Sequence, residues 1–155
     1  MLKYRKLSGY KYTVADEYRA GVPELLGVDA TQPWFRITGG EMIVRDGYAW
    51  DGASGPTIDT VATLEASLVH DVGYQAIRIG AMLADRRADC DAVLYRLLRR
   101  GQHKWAASRS TSLGRALAGM WIETRALYYF AAVRAFGRGS IKPTSVENQD
   151  RVFTT

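Results

Sequence analysis

Cysteine, histidine and proline are scarce in this chain: of 155 residues, one is cysteine, two are histidine and four are proline. A lone Cys90 cannot form an intramolecular disulfide, and Cys90, His70 and His103 are too few for a four-ligand structural zinc site. Disulfide scaffolds and zinc fingers are therefore excluded, and neither zinc nor a nucleotide is expected as a cofactor. The opening MLKYRKLSGYKYTVADEYRA lacks the apolar stretch of a signal peptide, and no segment approaches the roughly 18 uncharged apolar residues of a membrane span. The expectation is a soluble protein made in the cytosol. No repeat and no Pro/Ser/Gly-rich linker divides the sequence, so 1–155 reads as a single domain. A hydrophobic fraction of 47% with 24% charged residues suits one globular core.

Acidic residues are scarce in one region. Residues 86–142 hold twelve basic side chains, among them Arg86, Arg87, Arg96, Arg99, Arg100, Lys104, Arg109 and Arg115, against Asp89, Asp91 and Glu123, a local charge of +9. Residues 1–20 sum to +3, residues 21–85 to −6 and residues 143–155 to −1, within a total of +5. Such polarity suits an anionic partner for the basic segment and a cation site in the acidic one, although most single arginines read as solvated helix faces.

Residues 1–33 give a weak pattern, with short strands expected at Lys3–Leu7 and Tyr10–Val14 and a loop at Asp29–Pro33. From Trp34 the pattern sharpens. Trp34–Thr38, Glu41–Arg45 and Tyr48–Trp50 are β-prone runs separated by Gly39-Gly40 and Asp46-Gly47, hairpin dipeptides that tolerate positive φ. Residues 34–50 thus read as a three-stranded meander and 51–58 as a loop, followed by a helical region over 59–137 and a tail over 138–155. The first helix is expected to start near Asp59 or Thr60 and run to about Ile79, before Gly80. The second is expected from an Asp85 cap to Arg100, ended by Gly101, and the third from Thr111 or Ser112 to Phe136, before Gly137. The fold class is α+β: a small antiparallel meander followed by a three-helix bundle.

On the first two helices, polarity conflicts with position. Around His70, the residues three and four away are Ala66, Ser67, Gly73 and Tyr74, a small and mostly apolar stripe bearing one imidazole. On the second helix, Asp91 falls in the row Ala88, Asp91, Leu94, Tyr95, Leu98, where the core should be. A buried carboxylate needs a partner, and an imidazole held by Asp91 through one nitrogen presents the other to water or substrate. Antiparallel packing through the short Gly80–Ala84 connection would bring the two stripes together as base and orienter, with Tyr74 near enough to assist. Asp71 projects about 100° further round the helix, toward the loop holding Asp51, Trp50 and Gly52. Two carboxylates with loop carbonyls make a hard oxygen site of the kind calcium takes. A metal-dependent phosphohydrolase built on His-Asp needs a further upstream histidine, and residues 1–69 contain none. Cys90 turns to a different face and reads as inert.

Four blocks in order resemble a family of small phage and prophage proteins: Tyr48-Ala49-Trp50-Asp51-Gly52-Ala53-Ser54-Gly55-Pro56, His70-Asp71-Val72-Gly73-Tyr74, Arg87 with Cys90-Asp91-Ala92-Val93-Leu94-Tyr95, and Tyr128 to Gly137. The likeness spans about residues 34–140 and implies phage or prophage origin, often near tail genes. More distantly, His70-Asp71-Val72-Gly73-Tyr74, with Asp91 following His70 by 21 residues, is similar to the active-site helix of secreted phospholipases A2 of the microbial type. That resemblance implies His70 as general base, Asp91 as its orienter, Asp71 as a calcium ligand and the Trp50–Ser54 loop in the place of the calcium loop. The bracing cysteines and the usual Gly-rich calcium signature of those enzymes are missing.

The expected function is a phage tail or tail-tip protein with a phospholipase A2-like site of His70, Asp91 and Tyr74, and with calcium at Asp71, Asp51, Trp50 and Gly52. Its expected partners are other tail proteins, further copies of itself and an anionic lipid surface, to which an exposed Trp105 or Trp121 would contribute. Nucleic acid has only charge in its favour. The rival is a structural tail protein in which the same cluster is a buried polar network.

Overall fold

A computed structural model describes residues 1–7, 12–52, 60–107, 110–137 and 139, apart from the side chains of 102, 104 and 105. Ala53, Ser54, Gly55 and Pro56 of the loop, the possible helix start at Asp59, the Trp105 side chain and nearly all of the tail lie outside the described residues. Short antiparallel strands precede long helices: β1 (Tyr4–Lys6), β2 (Tyr12–Val14), β3 (Tyr18–Gly21), β4 (Ala30–Thr31), β5 (Phe35–Thr38), β6 (Glu41–Val44), β7 (Ala49–Trp50), α1 (Val61–Arg78), α2 (Arg87–Ala107) and α3 (Ser112–Phe136). The α+β class with a small meander ahead of three helices is therefore what the chain forms.

The strands make two sheets, ordered β1-β2-β7 and β3-β6-β5-β4. The β5–β6 hairpin turns through Gly39 (φ +57°) and Gly40 (φ +75°), as the Gly-Gly pair predicts. Its register sets Phe35 opposite Val44 and Ile37 opposite Met42, so that all four side chains enter the core. The expected third strand of the meander is placed differently. Ala49–Trp50 leaves β6 and pairs with β2. Gly47 (φ +85°) donates its N–H to the Val14 carbonyl and Val14 donates to the Tyr48 carbonyl, so the Asp-Gly corner hands the chain to the other sheet. The meander is instead completed on the other side by β4, inside the segment read as a loop.

α1 starts where expected. Thr60 accepts from the Thr63 N–H while the Thr63 hydroxyl accepts from the Thr60 N–H, a reciprocal cap, and the helix ends at Ile79 before Gly80 (φ +73°). Two expectations for α2 are corrected. Asp85 is not its side-chain cap but lies in a single 3-10 turn, Ala84–Arg86, that leads into the helix. Nor does Gly101 end it, for α2 continues to Ala107. A Cβ at 101 would collide with Cβ of Ala62, so glycine is there to let α1 and α2 touch. Midway along the same contact, a Cβ on Gly73 would lie 2.7 Å from Cys90 Sγ. The first contact joins the start of α1 to the later part of α2 and the second joins the later part of α1 to the start of α2, the antiparallel arrangement expected.

One core runs from both sheets through α1 and α2. Some arginines that read as solvated instead fasten the layers. Arg96 holds both oxygens of Glu24, at 2.5 and 3.0 Å, and Arg86 donates to the carbonyls of Glu24 and Leu26, so α2 is tied to the 3-10 turn Pro23–Leu25. Tyr18 donates to Glu65 of α1 at 2.5 Å. α3 packs on α2 through Ala118, Ile122, Ala126 and Tyr129.

Candidate functional site: a histidine between two carboxylates

His70 and Asp91 meet because α1 and α2 run antiparallel and each carries its polar residue on the shared face. His70 Nε2 lies 3.0 Å from Asp91 Oδ1. The imidazole is nearly buried and Asp91 is wholly buried, at 0% exposure. Tyr74, one turn beyond His70, donates its hydroxyl to the same Oδ1 at 2.7 Å and stacks its ring 4.0 Å from the imidazole, centroid to centroid.

The other oxygen of Asp91 faces arginines. Arg134 Nη1 lies 3.3 Å from Oδ2 and Arg87 Nη2 lies 4.0 Å from it. Arg87, itself buried, donates Nε–H to the Tyr74 hydroxyl at 3.0 Å and Nη2–H to the carbonyls of Val133 and Arg134 at 2.5 and 2.9 Å. The Val133 carbonyl also accepts from the Gly137 N–H at the helix end, and a cation from α2 adds to the bonds of these last-turn carbonyls, where the helix dipole favours positive charge. Gly137 closes the corner: a Cβ there would lie 2.5 Å from the Tyr74 hydroxyl oxygen.

Electrostatics fix the protonation pattern. Burial raises the pKa of Asp91, but hydrogen bonds from His70 and Tyr74 and the Arg134 guanidinium outweigh it and hold the carboxyl below the usual carboxylate range. An ionised Asp91 only accepts, so Nε2 of His70 carries the proton and, in the neutral ring, Nδ1 carries the lone pair. Burial opposes a charged imidazole, yet Asp71 and Asp91 together prevail and raise the His70 pKa. Nδ1 lies 3.8 Å from Asp71 Oδ1, beyond hydrogen-bond length, and has no hydrogen-bond partner among the described residues. The Tyr74 hydroxyl donates to Asp91 and accepts from Arg87, so it bridges these two residues beside the imidazole. Cys90 is buried, and burial first and the neighbouring aspartates second push its thiol up to about 12, in keeping with an inert residue.

The cation set is less complete. Asp71 flanks His70 with a partly exposed carboxylate, whereas Asp51 is exposed just after β7. Trp50 lies opposite Tyr12 in the sheet, and its indole N–H donates to Ser67 Oγ at 3.2 Å, one turn before His70. Gly52 (φ +74°) sits against Tyr12, where a Cβ would come within 2.8 Å of the ring. Among the described residues no group of three or more His, Cys, Asp or Glu side chains is gathered for a metal. Two carboxylates fall short of the six to eight oxygens calcium takes.

Arg87 and Arg134 complete the cluster, and reading helix faces did not assign either of them a role. The signal for Arg87 is its place four residues before Asp91, on the same face of α2. For Arg134 and Gly137 the signal is the terminal Val133-Arg134-Ala135-Phe136-Gly137 block, whose purpose shows only once α3 is docked. No family model, curated protein or solved structure matches the chain.

Proposed function

We propose that this is a phage- or prophage-encoded protein, associated with the virion tail, whose His70–Asp91 pair hydrolyses an ester of the host envelope in the manner of a phospholipase A2. The observation that carries the reading is the hydrogen bond that Nε2–H donates to a wholly buried, ionised carboxylate, which leaves Nδ1 as the basic nitrogen. In the proposed step, Nδ1 takes a proton from water as the water oxygen bonds to the acyl carbon. Asp91 stabilises the imidazolium, and the same proton passes to the departing alcohol as the ester C–O bond breaks. Calcium belongs to the proposal as an ion shared by Asp71 and Asp51, with carbonyls of Trp50 and Gly52 and with water, which would polarise the carbonyl when bound.

The test is release of fatty acid from phospholipid by the purified chain, with calcium and with chelator, beside His70→Gln. Loss of the base is expected to slow turnover by about 10²–10⁴-fold. Wild-type turnover no faster than that of His70→Gln would sink the catalytic reading.

A second reading is favoured by the two arginines on Asp91 Oδ2, which more than neutralise the carboxylate: the cluster is a polar lock for helix packing in a structural tail or assembly protein. It expects no turnover, the chain in purified virions, and marked destabilisation by His70→Gln.

A further inference from the structure

The last turn of α3 is bonded to both oxygens of Asp91, by two routes that meet in one residue. Oδ2 is reached directly, by Arg134 Nη1 at 3.3 Å. Oδ1 is reached through a chain: it accepts from the Tyr74 hydroxyl, that hydroxyl accepts from Arg87 Nε–H, and Arg87 Nη2–H donates to the Arg134 carbonyl. The backbone and the side chain of Arg134 therefore close a ring of hydrogen bonds that passes through α1, α2 and α3.

The ring constrains a group that could otherwise turn. The last torsion of an aspartate is soft, and each carboxylate oxygen can accept. His70 Nε2–H and the Tyr74 hydroxyl both use Oδ1. Among the described residues Arg134 is the one hydrogen-bond donor to Oδ2, since Arg87 Nη2, at 4.0 Å, is too distant to bond. Without Arg134, a wholly buried anionic oxygen lacks a donor, and the carboxylate relieves that cost by turning Oδ2 toward the donors that Oδ1 now holds. Asp91 is fixed in the core, whereas Arg134 comes from the last turn of another helix and its side chain is 45% exposed. The ring opens most readily there.

We propose that Arg134 is a positioning residue for the His70–Asp91 pair: docked with the last turn of α3, its guanidinium holds Asp91 Oδ2 and thereby aims Oδ1 at His70 Nε2. The end of α3 then governs the site, which is aligned when that turn docks and loses its alignment when it lifts. The bearing on hydrolysis rests on the reading of His70 as the base, but the alignment itself is measured without turnover.

The test is proton NMR of the His70 Nε2–H in the full chain, with His103→Gln to tell its signal from that of the other histidine. An imidazole N–H bonded to a carboxylate resonates well downfield of the amides. The neutral ring and the imidazolium both carry this proton, so the signal reports the bond and not the titration. Wild type is expected to show it, in slow exchange with water. Arg134→Met, which keeps the stem and removes the donors, is expected to move the signal toward the amides and to quicken its exchange by at least roughly tenfold. Arg134→Lys, which restores one charged donor, is expected to return most of both. The amides of β5 and β6 should exchange alike in all three chains. An unchanged signal in Arg134→Met overturns the proposal, as does a wild type without the signal. So does Arg134→Lys as impaired as Arg134→Met, or equal quickening of the β5 and β6 amides, which would mean general loosening. A chain that shows the signal, loses it in Arg134→Met and yet releases no fatty acid supports the positioning role while sinking hydrolysis, so the two failures read separately.

Discussion

Asp91 is the residue on which the cluster depends, because it is the buried anion on which the three helices converge, through His70 and Tyr74 of α1, its own α2, and Arg134 of α3. Asp91→Asn keeps the shape but leaves Arg87 buried with no anionic partner. A loss of about 3–5 kcal/mol, the range for breaking a buried pair from one side, is expected in urea denaturation. Much of this was legible from sequence: a carboxylate in a row otherwise apolar and aromatic, and an imidazole on a stripe of small residues, stand out against helical periodicity. Arg87 and Arg134 were not legible in the same way. An arginine on an amphipathic helix ordinarily points to water, and nothing local says that the end of a helix 46 residues away needs a donor.

At the scale of elements, punctuation by local chemistry was readable and punctuation by contact was not. Thr60 and Thr111 cap through their own hydroxyls, Gly39-Gly40 and Gly80 turn through their own backbones, and the sequence places all of them correctly. Gly101 and Asp46-Gly47 looked like local signals, yet the first serves the Ala62 contact and the second leads β7 to β2. The bond from Arg87 to the α3 carbonyls is likewise a contact between elements, and it yields a separable prediction. Arg87→Lys keeps the charge but loses the planar fork that reaches Tyr74 and two carbonyls together. Amide exchange at the C-terminal turns of α3 should quicken by about tenfold, a cost near 1.4 kcal/mol, while the amides of β5 and β6 hold. Equal quickening in both places would mean global destabilisation and would count against a local tether.

For the whole molecule, the titration of His70 sets stability and proposed activity in opposition. Its folded-state pKa is raised, so its contribution to stability is complete below the unfolded value of about 6.5 and is lost as pH rises through the folded value. The lowered Asp91 pKa works at the other end: its contribution holds above the unfolded value of about 3.9 and fades as acid carries the pH down through the folded one. Wild-type melting temperature should therefore decline above about pH 6.5, a decline missing from His70→Gln. Hydrolysis by a neutral Nδ1 should climb over that same interval, and a rate falling there would exclude His70 as the base. The tether between Arg87 and the Val133 and Arg134 carbonyls has one more consequence, for the chain in the course of synthesis. His70, Tyr74, Arg87 and Asp91 are translated well before Val133–Gly137, so a nascent chain can pair imidazole with carboxylate long before it can close the corner around them. The finished arrangement therefore forms only after α3 has been made, and the imidazole–carboxylate pair precedes it.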